Sequence, residues 1–263
     1  MHGIARIREP WLLGPVARPG LGGRVRAGLL RLCAGLVAVA LGACTSTGDI
    51  SNPVVRKVTW FSFLNGYDIR TTCQAGAPDH LRLVHNANYS RRVRVHELVA
   101  ASPALPGAAP SGAMRLMTRV IGDTTSEWLV EFGDPSSLFA PWAGQVSRVT
   151  LGPADVAAVR TALARDGLGQ PAPAGTELFS QDYWWLAVGC LDGRMRFQVW
   201  AHPDRGYDGL TFPALLQARD GTGIPLRTPA DEPVYANPAI MDRDAARYEV
   251  RFRLAVGPNG INP

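Results

Sequence analysis

The run His202-Pro203-Asp204-Arg205-Gly206-Tyr207-Asp208-Gly209 gathers an imidazole, two carboxylates, a guanidinium and a phenol in one turn-rich stretch. Loops of this kind are where binding and catalytic side chains concentrate. In a catalytic reading His202 is the general base and Asp204 or Asp208 its partner. In a binding reading Arg205 holds an anionic group, or the two carboxylates hold a cation. The spacing matches no calcium loop. A hydrogen-bonded Asx turn accounts for the same composition with no chemistry at all.

The other candidates are sparser. His80, His85 and His96 fall on adjoining strands. His80 and His85 are an odd number of residues apart, so a regular strand sends them to opposite faces, and no shared metal is expected. Trp184-Trp185 puts one indole on each face of its strand. One belongs to the core, and the other packs at its edge or stacks on a sugar ring or partner. Arg91, Arg92 and Arg94 read as a solvated strand end. No Gly-x-Ser-x-Gly elbow occurs, and no Gly-rich loop opens a helix to cradle phosphate. Gly221-Thr222-Gly223 follows a short helix and reads as its C-cap and turn. No cofactor is expected.

Several elements must position these residues. Residues 54–64, VVRKVTWFSFL, are rich in β-branched and aromatic side chains and predict a strand. Asn65-Gly66 is a turn signal, and 67–73, YDIRTTC, alternates as a second strand. Further strands are predicted over 80–87 and 92–99, which flank a turn at Asn88 to Arg91, and over 114–121 and 127–132. Residues 101–112 and Pro135 to Gly144, with Trp142, are loops. Residues 153–166 form the clearest helix, with Pro153 at its first position, Gly167 as its stop and Val156, Val159 and Leu163 as its buried stripe. Residues 182–190 and 194–201 form a hairpin around Asp192-Gly193. A short helix follows at about 212–219, and 247–256 alternates as a half-buried strand. The connections of the early strands are too short for helical crossovers. The expected fold is therefore α+β: a twisted antiparallel meander sheet with one main packed helix and one short helix.

The N-terminal segment carries a different signal. Arg24, Arg26 and Arg31 precede an apolar run over 32–41, a charged region followed by a hydrophobic core of secretory length. That run is too short to span a bilayer. It ends in Leu41-Gly42-Ala43-Cys44, which resembles the lipobox of bacterial lipoproteins. The resemblance implies that residues 1–43 are a signal peptide cut off before Cys44. It also implies that Cys44 carries acyl chains such as palmitate, and that several chains anchor the protein stably. Thr45 after the cysteine, by resemblance to Gram-negative lipoproteins, implies sorting to the outer membrane, facing the periplasm. Residues 44–53 are then a flexible tether, and 54–263 a single domain. The segment 1–23, with Pro10, Pro15 and Pro19, is long for such a signal and leaves open a true start nearer Leu21 or Val25.

This reading reassigns the charge. The chain's formal net charge is +5, and residues 1–43 carry all of it, six arginines against Glu9. The rest has 21 basic and 21 acidic residues. The basic pI is therefore a targeting feature, and no nucleic-acid partner is expected. The resemblance also simplifies the cysteines. Cys33 leaves with the signal and Cys44 takes lipid, so Cys73 and Cys190 remain to pair in an oxidising compartment. The sequence thus points to a membrane-anchored envelope lipoprotein, a non-catalytic binding or structural module whose partner is another envelope protein or cell-wall material. The alternative is an envelope hydrolase built on the 202–208 loop.

Overall fold

Asn52 starts the first helix. The computed structural model describes Gly48 and residues 50–101, 111–122, 143–231 and 251–262. All belong to the compact unit Cys44–Pro263. The Asn52 side chain accepts from the Val54 and Val55 amides at 2.9 and 3.2 Å, and Pro53 supplies the preset φ of a first turn. The result is α1, Pro53–Leu64, where the sequence predicts a strand. Its buried side chains are Arg56, Thr59, Trp60, Phe63 and Leu64, a helical spacing. The residues that suggested a strand lie on the opposite side: Val54 and Val58 are 64% and 60% exposed. Ile50, assigned to the tether, is buried against this helix's core, so packed structure begins before residue 54.

Asn65-Gly66 ends α1 rather than closing a hairpin. Gly66 sits at φ +60°, and a Cβ there would meet the Val188 side chain at 2.7 Å. The segment read as the second strand turns into α2, Tyr67–Arg70, with Ile69 buried. Cys73, just beyond, is disulfide-bonded to Cys190, with their Cα atoms 5.5 Å apart. The bridge spans a sequence separation of 117. In the chain-entropy account a loop this long is worth at most about 4–5 kcal/mol.

The sheet is as expected in class and in most strands. A meander of β1 (His80–Ala87), β2 (Arg92–Ala100), β3 (Met114–Ile121) and β4 (Gln145–Leu151) leads into α3, Pro153–Arg165. β4 was not anticipated. The predicted strand at 127–132 and the Trp142 loop lie outside the described residues, as do the signal segment and Cys44. After β5 (Glu177–Phe179), the hairpin of β6 (Tyr183–Leu191) and β7 (Arg194–Ala201) adds to the other edge of β1. This gives an antiparallel order β4-β3-β2-β1-β6-β7. Asp192 and Gly193 both take positive φ at the hairpin tip, the geometry its Asp-Gly dipeptide predicts. Two short helices follow, α4 (Arg205–Asp208) and α5 (Phe212–Gln217). A second small sheet has the order β5-β8-β9, with β8 Arg253–Val256 and β9 Ile261–Asn262. Of the strand predicted at 247–256, β8 is the part seen, with Leu254 and Val256 buried between exposed neighbours. Residues 247–250 lie outside the described set.

Strand alternation then sorts the side chains into two cores. α1, α2 and the small sheet cover one face, over Val84, Val95, Trp184, Leu186 and Val188. α3 and α5 cover the other, over Leu83, Leu98, Leu116, Trp185 and Trp200. The stripe of α3, Val156, Val159 and Leu163, is buried as expected, with Ala162 beside it.

Candidate functional site

The 202–208 loop leaves β7 through a cis His202-Pro203 peptide and turns at once into α4. Tyr207 points inward, with its hydroxyl 3.0 Å from His85 Nε2. Its ring meets His202 edge-on at 5.6 Å. Burial pushes the Tyr207 hydroxyl above its ordinary pKa, helped by Tyr183 and Asp208. Asp204 and Asp208 are exposed, and the Arg205 side chain is outside the described set. The fold thus joins His202, Tyr207 and His85, and leaves both carboxylates at the surface.

The three strand histidines divide as alternation requires. His80 lies on the α1 side, 3.2 Å from Glu97. His85 and His96 lie on the α3 side, both buried, with the Trp185 ring between them at centroid distances of 4.5 and 6.1 Å. His96 Nδ1 is 2.9 Å from the Thr118 hydroxyl. Burial, reinforced by the nearby Arg94 charge, lowers both imidazoles to a pKa of about 3. They are neutral at ordinary pH. Trp185 is 2% exposed and Trp184 0%, so neither indole is offered to a ligand. Among the described residues no group of three or more His, Cys, Asp or Glu is placed to hold a metal.

Two arginines, Arg82 and Arg94, are buried, the second against the expectation of a solvated strand end. Arg94, read as part of a solvated cluster, pairs with Asp220 and donates to Gln217 Oε1 at 2.7 Å. Its other terminal nitrogen donates to the Ile224 and Pro225 carbonyls at 2.7 and 3.0 Å. Burial lowers its pKa, with Asp220 opposing. Arg82, one strand over and facing α1, donates to the Phe63 carbonyl at 2.8 Å and to both Asp68 oxygens at 3.0 and 2.6 Å. It also donates to Glu97 Oε1, through Nη2 at 2.6 Å and Nε at 2.9 Å. Its guanidinium lies 3.7 Å above the Phe63 ring. Burial would raise the Glu97 pKa, but the His80 hydrogen bond and Arg82 outweigh it and hold it low. The sequence signal for this network is the register: Arg82 lies directly opposite Glu97.

A second polar tie closes the α3 side. Asp166, at the end of α3, accepts from the Thr211 and Phe212 amides at 2.7 and 3.0 Å and so caps α5.

One further hollow differs from all of these. On the α1-side face of β2, β3 and β4, a cavity of about 300 Å³ is lined by Glu97, Val99, Arg115, Met117, Arg148 and Thr150, with Leu116 and Val149. Across the strands Glu97 pairs with Met117 and Met117 with Arg148, while Val99 pairs with Arg115 and Arg115 with Thr150. Arg115 and Arg148 are therefore diagonal neighbours on one face, with backbones roughly 7–8 Å apart. Both are exposed. No protein-family model, no curated protein and no solved structure matches this chain.

Proposed function

We propose that the chain is a membrane-anchored envelope lipoprotein, attached through acylated Cys44, that works as a binding or structural module rather than by catalysis. Support for the anchor is the Leu41-Gly42-Ala43-Cys44 motif. Among the described residues no helix is long and apolar enough to cross a membrane, and the anchoring assigned here needs none.

The observation that carries the module reading is the commitment of the reactive side chains. His85, His96, Arg82, Arg94, Glu97, Asp166 and Asp220 are hydrogen-bonded into the two cores. A buried network of this kind rigidifies a fold when every member is satisfied. An imidazole held near a pKa of 3 is a poor general base at neutral pH. In the 202–208 loop, the carboxylates that a hydrolase would place beside His202 are exposed.

Metabolic labelling with an alkyne fatty acid tests the anchor. Wild type should label and Cys44→Ala should not; equal labelling refutes it. Activity against cell-wall material that is lost in His202→Ala, with the fold intact, would refute the module reading.

A further inference from the structure

We propose that the hollow on β2–β4 is a ligand site for a small anionic amphiphile, an aliphatic carboxylate whose head sits between Arg115 and Arg148 and whose tail lies on Met117 and Val99. The proposal rests on the binding-module reading, but not on the anchor.

Charge makes the first argument. Two guanidinium groups on diagonal positions of one face repel each other, and neither forms an ion pair or hydrogen bond with another described residue. The compact unit is formally neutral, so this local excess is a feature of the face and not of the chain. Two buried arginines of the same sheet do have carboxylates: Arg82 on β1 has Asp68 and Glu97, and Arg94 on β2 has Asp220. An anion between Arg115 and Arg148 would relieve the repulsion, and the guanidinium fork suits a carboxylate held through two parallel N–H···O bonds.

Shape and polarity make the second. Met117 is half-buried between Glu97 and Arg148, and Val99 is half-buried beside Arg115. They give the hollow an apolar floor. Methionine adapts to varied apolar shapes. A volume of about 300 Å³ is at the small end of ligand pockets. The third argument is polarity along the site. Glu97 forms the end away from β4, and its carboxylate is engaged by Arg82 and His80. An anionic head is repelled there and attracted towards β3 and β4, which orients the ligand. The Thr150 hydroxyl, opposite Arg115, can donate to the same head group.

The test is calorimetric titration of the purified full-length protein with octanoate, in nanodiscs with empty nanodiscs as the blank where Cys44 is acylated and against buffer where it is not. One saturable site is expected. Arg115→Gln and Arg148→Gln should each weaken binding roughly tenfold, the scale of a lost charged hydrogen bond. Met117→Ser should weaken it a fewfold, and raised ionic strength should weaken it further. Acetate should bind much more weakly than octanoate, and octyltrimethylammonium should not bind. No saturable heat with octanoate overturns the proposal. So does acetate binding as tightly as octanoate, since the floor then plays no part. Binding unchanged in the Arg115→Gln/Arg148→Gln double variant also overturns it. Failure of fatty-acid labelling at Cys44, with octanoate binding intact, would remove the anchor and leave this site standing.

Discussion

Arg82 and Arg94 stand against Arg115 and Arg148 as two uses of one side chain on four neighbouring strands. The first two are buried, one on each face: Arg82 meets two carboxylates, a carbonyl and a ring, and both terminal nitrogens of Arg94 meet acceptors. They fasten α1–α2 and the 220–225 loop to the sheet. The second two are exposed, lie on one face and have no carboxylate partner among the described residues. Removing one member of a buried pair strands a charge in a low dielectric. Removing an exposed charge that has no carboxylate partner among the described residues strands none of them. Equal residue types therefore carry opposite costs, and the difference separates what holds the fold from what is available to a partner.

The largest expected effect follows from that contrast. Arg94→Ala leaves Asp220 buried without its cation, and Arg82→Ala leaves Asp68 and Glu97 facing each other. Each should lose about 3–5 kcal/mol in urea unfolding. A loss below about 1 kcal/mol would show that these pairs do not tie the layers.

The next effect is on acid stability. The folded state holds His85 and His96 at a pKa of about 3, whereas in the unfolded chain each sits near 6.5. A histidine whose folded pKa is depressed stabilises the protein above its unfolded pKa. That contribution is lost as pH falls from about 6.5 towards 3, because the unfolded chain takes up protons that the folded one refuses. The groups around the pair act in the same direction: Arg94 and Arg92 repel the added charge on His85, and Arg94 that on His96. Between pH 7 and pH 5 each histidine should cost about 1–2 kcal/mol. His96→Leu should flatten the urea-unfolding profile over that range, and an unchanged slope would mean that His96 is accessible to protons.

Smaller still is the cap of α1. Asn52→Ala should cost about 1 kcal/mol, read as a lower thermal midpoint. If α1 were held only by its core side, the substitution would be silent. At the bottom of the scale, Arg115→Gln and Arg148→Gln should each change stability by less than about 0.5 kcal/mol.

The same contrast explains which parts of the structure were legible in the sequence. The five strands read correctly in outline, at 80–87, 92–99, 114–121 and the two of the 182–201 hairpin, are marked by runs of apolar residues and by turn dipeptides. The α3 helix announces itself through Pro153, Gly167 and its buried stripe. The α1 helix was masked because Val54, Val55 and Val58 mimic a strand while lying in solvent. The helix-forming information was in the Asn52-Pro53 cap and in the spacing of Trp60, Phe63 and Leu64. β4, with Arg148 and Thr150 exposed, offered too little apolar pattern to stand out. Buried arginines are invisible to a hydropathy reading, because their placement depends on partners distant in the sequence: Arg94 meets Asp220, and Arg82 meets Asp68 and Glu97. The loop singled out for its composition, His202 to Asp208, delivers Tyr207 to His85 and leaves Asp204 and Asp208 outside. The hollow on β2–β4 was missed because it is assembled from two or three residues on each of three strands.

Thermal unfolding of wild type and the Arg115→Gln/Arg148→Gln double variant, each with and without octanoate, tests most directly whether the open arginines serve a ligand rather than the fold. Without octanoate the two midpoints should agree. With it the wild-type midpoint should rise, because a ligand that binds only the folded state stabilises it, and the variant should not move. A variant that is already less stable without octanoate, or one that shifts as far as wild type with it, would contradict the account.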